Sequence, residues 1–275
     1  MSSILTNNSA MVALQTLKSI NNDLGKTQSM ISTGKEIASA KDNSAIWAIS
    51  KVMESDVSGF KAVSEALSLG ESTVAVASAG AEQITNLLNE MKEKVVAATG
   101  ENVDHAKITA DITQLKEQIT SVIGASQFNG SNLLNTAGNA GIAVVSSLDR
   151  DGAGAVTAAS ITVASVDFEA NLDLTTIDTT DATTALASLD DMEALIQTSV
   201  DGAAALGASA SRISDQNDFV GKVSDAIKSG IGTLVDADME ETSARLQALQ
   251  VQQQLGVQSL SIANQAPQSI LSLFR

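Results

Sequence analysis

The chain contains no cysteine and no tyrosine, and only one proline, one histidine and one tryptophan in 275 residues. Without cysteine there is no disulfide framework, thiolate zinc site, iron–sulfur cluster or thiol nucleophile. Aromatics are 2% of the residues, which argues against a compact aromatic-rich enzyme core and for long helices of small and aliphatic side chains. Bases are scarce: 16 Lys and Arg stand against 32 Asp and Glu, a formal net charge of -16. That balance excludes general binding to DNA or RNA, which needs a basic surface to release counterions. No run of about 18 apolar residues occurs, so no membrane insertion is expected. Met1–Leu17 has neither a basic n-region nor a compact apolar h-region, so no cleaved secretory signal is expected there. Hydrophobic residues make up 44%, too many for a disordered acidic chain.

What the chain does have is periodicity. From Ile46, apolar residues recur in alternating steps of three and four: Ile49, Met53, Phe60, Val63, Leu67, Val74, Ala77, Ala81, Ile84, Leu88, Met91 and Val95, with Asp56 and Gly70 as breaks. This is a heptad seam on one long helix, and roughly 50 residues at 1.5 Å each make a rod of about 75 Å that needs helical partners. A second series, Ile108, Ile112, Leu115, Ile119 and Val122, follows a short connection at Gly100–Asp104, so it is expected to run antiparallel to the first. A third runs from Leu186 through Met192, Ile196, Leu206 and Ile213, takes a polar step at Asn217 where a bend or an interruption is expected, and resumes to Leu234.

Between them, from about Thr136 to Thr184, short β-branched runs alternate with Gly and Asp clusters. These are strand and turn signals, and the acids read as a solvated face. The expected fold is mostly α: a long helical bundle or coiled coil built from both chain ends, with a small β-containing insertion.

The ends differ from ordinary surface helices. Met1–Leu17 carries no charge, and neither do the 29 residues from Leu246 to Phe274. Both keep helical spacing: Ala10, Ala13, Leu17, Ile20, Leu24 and Ile31 near the start, Leu246, Leu249, Leu260 and Ala263 near the end, where Gln253 and Gly256 interrupt the stripe. The other faces carry Gln, Ser and Asn, which tolerate burial when hydrogen-bonded, as an unpaired charge does not. Such helices suit contact on several sides, and the simplest occupants are further copies of the chain. Each end is expected to be poorly ordered alone and helical in an assembly, because backbone ordering costs roughly 1–2 kcal/mol per residue. The plainer alternative is a two-helix hairpin within one chain.

Three stretches carry a family resemblance. Met30–Asp42, read Met-Ile-Ser-Thr-Gly-Lys-Glu-Ile-Ala-Ser-Ala-Lys-Asp, resembles the segment joining the first two helices of bacterial flagellins. Gln127–Leu134 is similar to their exit from the second core helix, and Asp236–Leu271 to their C-terminal signature. The likeness covers about residues 1–135 and 185–275 and points to a short, alphaproteobacterial-like flagellin. One departure is Ala45-Ile46-Trp47, where the family often has Ala-Gly.

The resemblance implies a structural subunit of the bacterial flagellar filament for swimming motility, extracellular and not an enzyme. It implies residues 1–40 and 236–275 as the filament-core coiled coil, 41–135 and 185–235 as the long-helix bundle, and 136–184 as an outer insertion. Other copies of the chain, the type III export apparatus, an export chaperone, the filament cap and sister flagellins are the implied partners, with export proceeding without a cleaved signal. The residues expected to hold neighbouring copies are Leu14, Leu17, Ile20, Leu24, Ile31, Leu246, Leu249, Leu255, Leu260, Ile262, Ile270 and Leu271. A hook–filament junction protein and a secreted adhesin on a helical stalk are the alternative readings.

No catalytic, cofactor or metal residues are expected. His105, the sole histidine, lacks a nucleophile beside it, and Asp149-Arg150-Asp151-Gly152 lacks the later ligands of a calcium loop. Gly34-Lys35 lacks the spacing of a phosphate-binding loop, and the acids of Asp236–Glu241 suit a helix start.

Overall fold

The computed structural model describes residues 7–138, 140–151 and 154–273, with side-chain surroundings as far as 265. Its helices are α1 (Asn8–Thr33), α2 (Ser44–Ala98), α3 (His105–Ala125), a single turn α4 (Phe168–Asn171), α5 (Ala182–Val235) and α6 (Met239–Leu273). Strands β1 (Gln127–Phe128) and β2 (Ser131–Asn132) form one small antiparallel hairpin, and β3 (Ile142–Arg150) and β4 (Val156–Val163) form a second. The first hairpin turns at Asn129 and Gly130, with φ of 49° and 83°; an Asn-Gly pair reaches that left-handed region at little cost. The chain divides into two compact units, residues 1–55 with 226–275, and residues 56–225.

The 56–225 unit holds a buried apolar cluster. The α2 seam supplies Val63, Leu67, Val74, Ala77, Ala81, Ile84, Leu88, Met91 and Val95 to it, all in the expected heptad positions. From α3 come Ile112, Leu115, Ile119 and Ile123, and from α5 Met192, Leu206, Ile213 and Val220. The Lys94–Asp111 ion pair, at 3.1 Å, ties α2 to α3 across their short connection. Val144, Ile161, Val163, Phe168, Leu172 and Ile177, all from the 136–184 stretch, belong to the same cluster.

The two breaks in the α2 stripe are where β3 lies down. A Cβ on Gly70 would fall 2.5 Å from Val144 Cγ2, one on Gly59 would fall 2.6 Å from Leu148 Cδ1, and Asp56 takes the Arg150 guanidinium. The register is self-consistent: six strand residues from Val144 to Arg150 cover about 20 Å at the usual strand rise, and fourteen helix residues from Gly70 to Asp56 cover about 21 Å. So β3 runs antiparallel along α2, with alternate side chains turned into notches left by small residues. Ile49, expected in the seam, is instead exposed.

The interruption expected at Asn217 is corrected: helix α5 passes through it unbroken, and Ser64 donates to its side-chain oxygen at 2.6 Å while its amide reaches Ser68 at 3.4 Å. Of the insertion's seven acids six are exposed, as a solvated face requires, and one is buried; several of them also act as caps. Asp167 is buried and caps α4, Asp173 accepts from Thr175 N–H, and Asp181 accepts from the N–H groups of Thr183 and Thr184 at 2.8 Å. Each satisfies backbone donors at the start of a turn or helix.

Candidate assembly interface

The unit made of both chain ends is built on α1 and α6. Asn7 caps α1 by accepting from Ala10 N–H, and Gly34 closes it in the left-handed conformation (φ 68°) with its N–H on Met30 O. Asp238 opens α6 by accepting from Glu240 and Glu241 N–H groups at 2.9 and 3.1 Å. The junctions α1–α2 and α5–α6 are clamped together: Glu36 N–H donates to Val235 O at 2.7 Å, and Ala237 N–H to Gly34 O at 3.0 Å. Lys51 at 2.6 Å and Lys35 at 3.4 Å flank Glu54 and hold its carboxyl below the usual value.

Helices α1 and α6 pack together along their heptad positions. Asn7 donates to Ala263 O at 2.7 Å and Gln253 to Asn21 Oδ1 at 2.6 Å, which sets an antiparallel register. Gly256 lets Leu17 close in: a Cβ there would sit 3.2 Å from Leu17 Cδ1 and 3.8 Å from Ile20 Cδ1. The two residues that interrupt the α6 stripe in sequence are therefore contacts in it. Only the complementary positions on α1 explain this, and sequence spacing gives no sign of them.

The expected interface residues separate into two sets. Leu17, Ile20, Leu24, Ile31, Leu246 and Leu260 are half-buried and Leu249 is buried, all on the seam positions between the two helices. Leu14, Leu255 and Ile262 face solvent, at 57%, 56% and 69% exposure. Ile270 and Leu271 lie outside the residues whose side chains are described. Val251 and Val257, which with Leu255 and Ile262 widen the apolar area of the C-terminal stretch in sequence, are also more than half exposed, and so are Met11 and Val12, which the spacing pattern missed. On α6, Val251, Leu255 and Ile262 fall at i, i+4 and i+11, one apolar stripe on the side of the helix turned away from the seam. Within α1 the single fully buried residue is Thr27.

Charge is divided unevenly between the units. Residues 56–225 hold 24 of the 32 acids and 8 of the 16 bases, so the whole net charge of -16 resides there. The unit that carries the apolar stripes is neutral. Copies can meet through it without net repulsion, whereas the acidic units repel one another.

Chemistry is sparse elsewhere. Among the described residues no group of three or more His, Asp or Glu is placed to hold a metal ion. His105 is the first residue of α3, and its Nδ1 is buried without a hydrogen-bond partner. Among the described residues no helix is long and apolar enough to cross a membrane.

Comparison with known proteins follows the same division of the chain. The family model for the bacterial flagellin N-terminal helical region matches residues 4–139, and that for the C-terminal helical region matches residues 189–274. The unmatched residues between them contain β3, β4 and α4. A flagellin of Brucella melitensis is 44% identical over 283 residues, covering 100% of both chains. Flagellin FljM of Caulobacter vibrioides is 40% identical over 278 residues, covering 100% of this chain and 99% of its own. Flagellin A of Rhizobium meliloti is 34% identical over 395 aligned residues, again with both chains fully covered.

Proposed function

The chain belongs to the flagellin family, and from that premise we propose that its two terminal helices build the filament by docking their free apolar faces onto neighbouring copies. As a flagellin it is a structural subunit of the bacterial flagellar filament, polymerising with itself outside the cell, and it is not an enzyme.

One observation carries the mechanism: a helix pair whose uncharged stretches, the start of α1 and α6 from Leu246, close a seam within the chain still presents Leu14, Val251, Leu255 and Ile262 to water. A 26-residue helix with one fully buried side chain recovers little of an ordering cost of about 1–2 kcal/mol per residue. Ordering of α1 and α6 is therefore coupled to docking, and the seam residues act by shaping the pair while the free stripe makes the contact between copies. Residues 1–40 and 236–275 line the filament core, 41–135 and 185–235 form the next layer, and 136–184 faces outward. The acidic 56–225 unit keeps the polymer soluble. Export through the flagellar type III apparatus without a cleaved signal, with a chaperone, a filament cap and sister flagellins as partners, belongs to the same proposal and rests on family likeness.

Amide exchange tests the mechanism. In dilute protein, α1 and the 246–265 part of α6 are expected to exchange fast, and in seeded filaments slowly. Slow exchange through both helices in the unassembled protein would remove the coupling of order to assembly. Absence of filaments by electron microscopy would remove docking altogether.

A further inference from the structure

The neutral unit is not uniformly neutral. Two open grooves lie on either side of Met30 and Glu36, which line both. One is lined by Lys26, Lys35 and Lys41, together with Asp42. The other is lined by Asp238, Glu241, Thr242 and Arg245, and Glu240 stands exposed in the same first turn of α6.

The charges within the lysine groove are unequally engaged. Lys35 pairs with Glu54 at 3.4 Å, and the Asp42 carboxylate accepts from the Ser39 hydroxyl at 2.9 Å and the Ser39 N–H at 3.0 Å. Lys26 and Lys41 are exposed and make no ion pair within 4.0 Å among the described residues. The same holds for Glu240 and Glu241 on the other side. Each unit thus offers, free of close ion pairs among the described residues, two cations on one groove, whose three lysines face Glu36 and Asp42, and two carboxylates beside the other, on a chain otherwise dominated by acid.

We propose that the Lys26–Lys41 groove of one copy receives the Glu240–Glu241 turn of the next. The inference rests on the filament reading and adds the polar contact that fixes how copies are set against one another. The two surfaces differ, so the contact is head-to-tail: each copy receives on one groove and donates from the other, and the chain of contacts need not close into a ring. The apolar stripes are nondirectional, whereas paired charges penalise wrong registers. Among the described residues none of these four makes an ion pair within 4.0 Å, and Lys26 acts on the Asp42 carboxylate only through its charge, which leaves all four available to a neighbour.

The test is a charge exchange performed in trans on the full-length protein. Lys26→Glu with Lys41→Glu makes one variant, and Glu240→Lys with Glu241→Lys makes another. Far-ultraviolet dichroism checks that each keeps the parent's helicity. At low ionic strength each variant alone is expected to raise the critical concentration for polymerisation about tenfold or more. An equimolar mixture restores assembly, because each variant's altered surface then faces its complement. A chain carrying all four substitutions also recovers, and the differences shrink at high salt.

Variants that polymerise like the parent overturn the contact. So do variants that stay impaired in the mixture and in the fourfold exchange, since a role within one chain cannot be rescued by a second. A parent protein that forms no filament overturns the assembly reading itself, a result separable from the variants' behaviour.

Discussion

The Arg150 guanidinium donates to the Asp56 carboxylate at 2.5 Å, joining residues 94 apart in sequence. It pins the tip of the β3–β4 hairpin to α2, and the contact raises the Arg150 pKa above its ordinary value through that hydrogen bond. Arg150 is the one base between Lys116 and Arg212, so no other cation in that stretch of sequence can do the same. Replacing Arg150 with Ala is expected to speed amide exchange at Leu148–Arg150 and Val156–Ala158 while leaving the α2 and α5 core protected. Unchanged exchange at the tip would show that Leu148 in the Gly59 notch holds it alone.

Gly70→Ala should destabilise the 56–225 unit. Ordinarily the change gains about 1 kcal/mol in a helix interior. Here the new Cβ would meet Val144 Cγ2 at 2.5 Å, and overpacking costs about 1–3 kcal/mol. Val144→Ala in the same chain should recover part of the loss by opening the notch. Gly207→Ala in α5 should do the opposite and stabilise by about 0.5–1 kcal/mol, because nothing lies within 4 Å of the added methyl. Urea unfolding of the four proteins checks both signs.

Leu255→Lys and Leu249→Ala separate docking from folding. Leu255 is 56% exposed, so a lysine there leaves the monomer's dichroism unchanged and suppresses filament growth by charging the free stripe. Leu249 is buried on the seam, so its truncation should loosen α1 from α6 at a cost of about 2–5 kcal/mol where that seam is formed. Filaments from the Leu255→Lys chain at the parent's critical concentration would remove the stripe from the interface.

Acid should weaken the start of α5. Hydrogen bonds from the backbone of Thr184, then Thr183, hold the Asp181 carboxyl below its ordinary value of 3.8. A depressed folded-state pKa means the ionised cap contributes stability above the unfolded value, and that contribution is lost as pH falls through the lower folded value. Asp181→Asn keeps an oxygen acceptor and does not titrate. The parent should therefore lose stability relative to the Asn variant below about pH 4, with the two running parallel from neutral pH down to that point. Melting temperatures measured against pH decide it, and parallel curves throughout would count against the cap.

Salt should favour assembly. The net charge of -16 lies in residues 56–225, and raising ionic strength from about 0.01 to 0.15 M shortens the screening length from about 30 to 8 Å. A critical concentration that falls over this range fits repulsion between acidic units as the main opposing force. One that rises would mean that attraction between charged groups outweighs it.

The amino-acid order alone settled the helices, their approximate limits and the heptad face of each, because burial on a helix repeats every three or four residues whatever the partner. Val63, Leu67, Val74, Ile84 and Met91 are legible in this way, as are the charge-free ends. What periodicity cannot carry is the identity of the partner at a broken position. Gly70 and Asp56 read as faults in a stripe until β3 is laid along them, and Gln253 and Gly256 read as faults until α1 brings Asn21 and Leu17 to meet them. The division of the terminal leucines between a closed seam and an open stripe was likewise decided only by tertiary packing. An apolar residue has the same chemistry on either side of a helix, and burial depends on what stands opposite it.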